Sequence, residues 1–561
     1  MSESPRDAAV DSAVPVGASE AATPLLRIEG LRATAPDGRT ILEGVDLELR
    51  SGEVVVLLGG SGSGKSTLMG ALDDPGRLRR AGFALDWTQR HLATPVGLVP
   101  QRGALFDHLD VAGNLALAMR NAAEPRRPTA QSLGDALEGV DLPRAWATDG
   151  RGVEGLSGGE AQRVAVARTL AGGRRILFCD EPSVGLDPLR VDRLADLLRL
   201  EVAREGATAL VVTHELAFAA GVADRFVYMD RARRTLVEFP IVALEGVDPT
   251  APRSRALREA IASEVAAASL ARLDAESKAN GPSAAPRPTN ALLTRLSEFG
   301  RGLWDSFGVA PRVLGALVPA LSRPRDLFEV TRLAARQTLL RPSPFFAIVS
   351  VLIGMTILYI LHRALGGGEL PLRADRVFSL IGSMHVIALA PPLAGILFSA
   401  TAGNAITAWL GGVSLTRQDE ALRGLGIDAT RYLWVPAFGT LVVAFLALAS
   451  LFTLGMLGGG VAYLVMQVPE LGGDVARAWE LLTADLLDPP PDRAVFRVRM
   501  VALILIYAVG IASDAVAKGA KPKASAESVT VSMVRGVMAT TLWIVAFELL
   551  SLLAIFGGGA G

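Results

Sequence analysis

The chain has 561 residues, a formal net charge of −1, a half-hydrophobic composition and one cysteine. That length exceeds a single compact core, and the near-neutral charge offers no basic face for nucleic acid. Cys179 alone excludes an intrachain disulfide; on an apolar run it reads as a small buried hydrophobe in a reducing compartment.

Residues 1–24 are rich in Ala, Ser, Pro and Glu without periodicity and are expected to be a disordered tail. They carry no basic stretch followed by an apolar one, so no cleaved signal peptide is expected and the soluble half should stay in the cytoplasm. From Leu26 short β-rich runs alternate with turn signals: LLRIEGL, ILEGVDLEL and EVVVLLGG, then VGLVP, RRILFCDEP and TALVVTHE, with helical stretches between them. That alternation predicts a mainly parallel α/β domain over 25–250. Residues 251–290 hold a charged, Ala-rich helical extension ending in the linker-like NGPSAAPRPTN.

Beyond this the charges thin out. Leu292, Leu296, Phe299, Leu303 and Phe307 recur at helical spacing among Arg295, Glu298, Arg301 and Asp305, which predicts an amphipathic helix at the membrane interface within 291–340. Pro342–Leu361 has the length of one span. Val377–Val413, interrupted by Pro391 and Pro392, and Tyr432–Val468, interrupted by Gly458–Gly460, are each too long for a hydrocarbon core of about 30 Å. Each is either one long bent helix or a helix plus a re-entrant piece. Met500–Ser513, which is short, and Met533–Phe556 complete a set of about five spans. Loop charges do not orient these spans, since arginines fall on both sides; only the flank before the first span, with Arg323, Arg325, Arg332, Arg336 and Arg341, follows the positive-inside preference.

Three motifs carry chemistry. Gly59, Gly60, Ser61, Gly62, Ser63, Gly64, Lys65, Ser66 and Thr67 follow an apolar strand and precede a helix, the context of a phosphate-binding loop. Backbone N–H groups and a helix N-terminus would cradle ATP phosphates, Lys65 would reach the β and γ phosphates, and Ser66 would ligate Mg²⁺. RRILFCDEP ends an apolar strand in two carboxylates: Asp180, suited to organising Mg²⁺, and Glu181, suited to polarising the attacking water. LSGGEAQRVAVARTL places Ser157, Gly158, Gly159 and Glu160 at a helix start, a second anion-binding nest.

With this third motif the chain resembles the ABC ATPases over about residues 25–245. Gln101 in VPQRGALFDHL, SVGLDP at 183–188 and His214 in VVTHE follow in that family's order. The resemblance implies that Gln101 senses the γ-phosphate and Mg²⁺, that His214 contacts the γ-phosphate, that Asp187 couples two ATP sites, and that the nest closes over nucleotide held by a partner domain. One loop and one nest per chain make the working unit at least a dimer, most simply a homodimer. The family's adenine-stacking aromatic is replaced by Ala33, Thr34, Ala35 and Pro36.

The membrane half is similar to the MlaE-type permeases, which work with MCE proteins in bacterial lipid transport. The similarity lies in RQTLLRPSPFFAIVSVLIGM, Ala390–Phe438 and the final SMVRGVMATTLWIVAFELLSLLAIFG; QRGALFDHLDVAGNLA likewise resembles the MlaF-type ATPase partner. The likeness implies that Arg417–Ala429 is a cytoplasmic coupling helix fitting a groove near Gln101, and that Glu548 occupies an acidic position of the last span. Thr401 and Trp409 stand where the family often carries Arg and Glu. The resulting expectation is a P-loop α/β ATPase domain followed by an all-α polytopic membrane domain at 291–561. Such a protein would move phospholipid or a related lipid at the cell inner membrane, with a separate MCE-domain partner and the C-terminus outside. A half-size exporter of small hydrophobic compounds and a membrane ATPase that remodels a complex without transport are the alternatives.

Overall fold

Short β-branched runs become buried strands here because the parallel sheet is covered: its Val55, Leu57, Phe178 and Leu210 share one core with Leu26, Ile28, Leu31 and Leu42 of a second sheet and with Leu68 and Leu72 of a helix. The structure, a computed structural model, describes residues 24–60, 62–100, 104–122, 124–184, 186, 188–204, 206–213, 216–239, 306, 308–321, 324–364, 374–467, 473–487, 494–523 and 525–557. The tail, the 251–290 extension and residues 291–305 of the expected interfacial helix lie outside these.

The first 240 residues form, in order, β1 (Pro24–Thr34), β2 (Thr40–Arg50), β3 (Val54–Leu58), α1 (Lys65–Asp73), α2 (Pro75–Arg80), β4 (Ala84–Asp86), β5 (Gln89–Leu92), β6 (Val96–Val99), α3 (Val111–Arg120), α4 (Ala130–Gly139), α5 (Gly158–Ala171), β7 (Ile176–Asp180), α6 (Pro188–Arg204), β8 (Thr208–Val212), α7 (Leu216–Val222), β9 (Arg225–Asp230) and β10 (Thr235–Phe239). One sheet runs β10-β9-β3-β8-β7-β6, parallel except for β10. All five residues of β3 and of β8 are buried, as a central parallel strand requires. A second, antiparallel sheet, β2-β1-β4 with β5 also on β1, is an element that strand-by-strand reading does not separate from the first.

The later helices are α8 (Val309–Leu321), α9 (Pro324–Ala335), α10 (Ser343–Ala364), α11 (Ala374–Phe398), α12 (Asn404–Leu415), α13 (Gln418–Gly424), α14 (Val435–Gln467), α15 (Val475–Leu487), α16 (Ala494–Gly519) and α17 (Ala526–Gly557). Among the described residues five stretches are long and apolar enough to cross a membrane: Pro324–Ala364, Val386–Leu415, Thr430–Gln467, Ala494–Gly519 and Ala526–Ala554. Among the described residues of the expected interfacial region stand the helical segments α8 and α9, and a π-turn at Arg336–Leu340 carries α9 on into the first span.

The two overlong runs resolve differently. Pro391 and Pro392 do not interrupt α11; the irregularity comes later, in a π-turn at Ser399–Gly403 where the Thr401 hydroxyl donates back to the Leu397 carbonyl at 2.7 Å. Gly458–Gly460 do not break α14 either. A Cβ on Gly459 would overlap the Val351 backbone, and one on Gly354 would overlap that of Met456, so these glycines are where α10 and α14 approach backbone to backbone. The short run at Met500–Ser513 extends to 494–519 because the charges flanking it are held inside the fold: Lys518 pairs with Asp514, and Arg499 with Glu548.

The chain divides into two compact units. One comprises Met1–Gln101 with Gly173–Ala279; the other comprises Arg102–Gly172 with Asn280–Gly561. Helices α3–α5 thus belong with the membrane helices, since Phe106, Leu117 and Ala118 share one continuous apolar core with Leu422, Leu425 and Tyr432.

Candidate functional site: a nucleotide cradle and a docked helix

In the first unit the carboxyl ends of the adjacent strands β3, β8 and β7 bring together the phosphate loop, Thr213 and the pair Asp180 and Glu181. That edge is where open α/β sheets place their ligands. Within the loop Gly59, Gly62 and Gly64 have φ of 152°, 79° and 108°, and Gly64 caps α1. Gly59 is also held by space, since a Cβ there would lie 3.1 Å from that of Met229 on β9. The Lys65 ammonium donates to the Gly59 and Gly60 carbonyls at 2.7 and 2.8 Å, folded across the loop it would vacate for phosphate.

Whether these residues fit ATP and Mg²⁺ can be tested on the loop itself. The Ser63 hydroxyl is buried with no hydrogen-bond partner, an orphan that a phosphate oxygen would satisfy, and Ser66 is exposed at the first turn of α1. Among the described residues no cluster of three His, Cys, Asp or Glu could hold a metal. Mg²⁺ would therefore rest on nucleotide phosphates, Ser66 and the Asp180 side, as this cation ordinarily does. The residues fit.

Glu181 is 9% exposed and, unusually for a non-glycine, has φ 52° while its N–H donates to the Val212 carbonyl at 2.8 Å. A left-handed conformation of this kind costs about 1–3 kcal/mol and persists where a side chain must be aimed. Cys179 beside it is buried, and burial together with Asp180 pushes its thiol up to about 12, so it is an inert packing residue. Ser61, Gln101, Asp187 and His214 lie outside the described residues. Ala33, in the position of the absent adenine-stacking aromatic, is fully buried in β1.

In the second unit Ser157 caps α5 in a reciprocal capping box: its N–H and hydroxyl both donate to the Glu160 carboxylate at 2.8 Å. These bonds hold the Glu160 carboxyl below its usual range. Further along α5, Arg168 is fully buried. It donates to the Ala104 carbonyl at 2.7 Å and lies 4.7 Å from the Phe106 ring centroid; burial pulls its guanidinium down to about 9. Ala104 is itself strained, with φ 42°.

The segment that Arg168 holds is the one that receives α13. Gln418, buried at the start of α13, donates to the Asp107 carboxylate at 2.9 Å, and His108 Nε2 lies 2.8 Å from the Tyr432 hydroxyl. Leu425 packs on Gly172, and Arg120 on α3 pairs with Asp326 on α9 at 2.7 Å. Burial raises the Asp107 carboxyl and pulls His108 down to about 4, so the imidazole is neutral at pH 7. Nothing local in the sequence singles out Asp107, His108, Arg120 or Arg168. Their partners lie hundreds of positions away or, for Arg168, inside a motif whose other residues draw attention. Thr401 is bonded to its own helix and Trp409 packs on the membrane core, and both side chains are neutral.

Nucleotide-cradle geometry at one strand edge, in a chain that also carries helices of membrane-crossing length, is the arrangement of an ATP-driven membrane protein of the ABC class. The ABC transporter family matches residues 42–184 and the Permease MlaE family residues 333–554. The chain is 35% identical over 237 residues to the L-cystine transport system ATP-binding protein TcyN of Escherichia coli, covering 40% of this chain and 92% of that one. It is 36% identical over 205 residues to the glutamine transport ATP-binding protein GlnQ of Geobacillus stearothermophilus, covering 34% and 82%. A solved dimeric ATP-binding cassette bound to ADP and phosphate aligns with TM-score 0.33 and 23% identity, over 38% of this chain and 98% of that one. The chain belongs to the ABC transporters: it is an ATPase domain fused to an MlaE permease domain, and a multi-pass membrane protein.

Proposed function

We propose that this protein transports phospholipid or a related lipid at the bacterial inner membrane, as a homodimer served by a separate MCE-domain protein. The observation that carries the reading is that the permease joined to the ATPase is of the MlaE family. The five candidate spans found among the described residues support it over a six-span exporter. In this reading Lys65, Ser63 and the loop amides bind the phosphates of ATP, and Ser66 with Asp180 and Gln101 hold Mg²⁺, which supplies charge neutralisation when bound. Glu181 orients the attacking water and His214 the γ-phosphate. Ser157, Gly158, Gly159 and Glu160 of one protomer face the nucleotide of the other, with Asp187 between the two sites. Movement passes through Asp107, His108 and α13.

The test is transfer of labelled phospholipid between the reconstituted protein and acceptor vesicles, with Glu181→Gln as the control. Removal of a water-orienting group is expected to slow ATP turnover about a hundredfold or more while nucleotide still binds. Transfer that proceeds equally in both proteins, or purified protein that carries no lipid at all, would refute the lipid reading.

A further inference from the structure

Charged side chains inside a membrane span are rare and usually functional. Between α16 and α17 the structure buries a set whose hydrogen bonds do not close. Arg499 is 7% exposed. Its Nε donates to the Ser551 hydroxyl at 2.9 Å and its Nη2 to Glu548 Oε2, while Nη1 is buried with no hydrogen-bond partner. The other carboxylate oxygen of Glu548 accepts from the Tyr507 hydroxyl at 2.9 Å, and the Ser551 hydroxyl donates to the Glu548 carbonyl at 2.8 Å.

The acceptor side of this cluster is therefore satisfied and the donor side is not. A guanidinium has five N–H donors, and a buried donor left unmade is unfavourable. A clasp whose only task was to join two helices would be served as well by apolar residues. What the set lacks is an acceptor, and one that can lie alongside a cation, which describes an anion.

Position adds the second half. Lys523, in the turn between α16 and α17, donates its N–H to Ser414, at the coupling-helix end of α12. Arg499 is near the start of α16 and Glu548 near the end of α17, so the pair lies toward the opposite end of the hairpin, away from the coupling helix. The flanking surface of α16 and α17 is apolar, with Val498, Val501, Leu505, Leu549 and Leu553 exposed, a setting for acyl chains. A soluble anion would have to leave water to enter it.

We propose that Arg499, gated by Glu548, is a binding site for the anionic phosphodiester headgroup of a lipid, in the leaflet away from the coupling helix. Glu548 neutralises Arg499 while the site is empty, and the lipid phosphate competes for the guanidinium through Nη1 and then Nη2. This rests on the lipid reading above and deepens it to a headgroup class.

The experiment reads retained lipid by native mass spectrometry of the full chain, from nanodiscs holding equal phosphatidylglycerol and diacylglycerol. Arg499→Met is expected to lower the ratio of phosphatidylglycerol to diacylglycerol about tenfold. Glu548→Gln, which frees the guanidinium, is expected to raise it severalfold, with Arg499→Lys between wild type and Arg499→Met. The opposite signs for Arg499→Met and Glu548→Gln separate a binding site from a clasp, which would lose stability alike in both without changing the ratio. An unchanged ratio in a protein that still retains lipid overturns this proposal and leaves the lipid reading standing; a protein that retains no lipid overturns both. The same spectra report particle mass, and a ratio that falls only as the particle dissociates also overturns it. So does displacement of the bound lipid by millimolar glycerol phosphate, which would assign the site to a soluble anion.

Discussion

His108 should make the ATPase side of the coupling contact acid-labile. Burial holds its folded pKa at about 4 against the ordinary 6.5, so the folded state prefers the neutral ring. The unfolded segment binds the extra proton between those values. Stability is thus fully present above pH 6.5 and is lost as pH falls toward 4. Between pH 7.5 and 5 the two values imply a loss of about 2 kcal/mol. The ring is only partly shielded, so about 1–2 kcal/mol is the expected effect, equivalent to about a 5- to 30-fold loss of protection against local opening. Hydrogen exchange of residues 104–120, corrected for the intrinsic chemical rate, measures that opening. The neighbouring Asp107 carboxyl is raised by burial and works in the opposite sense, so the comparison is made in chains carrying Asp107→Asn. In that background a His108→Phe, Tyr432→Phe chain keeps the packing without the titrating group and should show no pH step. Equal protection at both pH values, or a step that survives in the doubly substituted chain, would refute the reasoning.

Two further outcomes follow from contacts that decide packing and coupling. Gly459→Ala places a Cβ into the Val351 backbone, while nothing lies within 4 Å of a Cβ at Gly458. Gly459→Ala should therefore cost about 1–3 kcal/mol and lower the yield of monodisperse protein on size exclusion, with Gly458→Ala unchanged. Gln418→Ala removes the side-chain donor to the Asp107 carboxylate, which water can partly replace, a loss of about 0.5–1.5 kcal/mol at the contact between α13 and residues 104–109. If lipid is the substrate, as proposed above, ATP turnover should persist while its stimulation by lipid in nanodiscs falls severalfold; unchanged stimulation would remove this contact from the coupling path.

Much of the nucleotide cradle is local and so could be read from the chain. Gly59–Thr67 makes its own turn, Ser157 and Glu160 cap each other three residues apart, and Asp180 and Glu181 end one strand. The span set was legible for the same reason, since length and apolarity are properties of a continuous segment. The breaks inside the long spans were not. Proline and glycine mark an irregularity only when neighbouring helices do not absorb it; Pro391 and Pro392 sit within an unbroken helix, and Gly459 serves a close approach to α10.

The sequence by itself determined the ATPase class, the phosphate loop with its carboxylate pair and glycine nest, and a membrane half of about five spans, because each is written in residues close together along the chain. Only the tertiary structure decided that residues 102–172 share their core with the membrane helices, that Asp107 and His108 receive Gln418 and Tyr432 from more than 300 positions away, and that Arg499 meets Glu548. Those pairings depend on which helix faces meet, and a periodic apolar pattern fixes that a face is buried without naming what it is buried against.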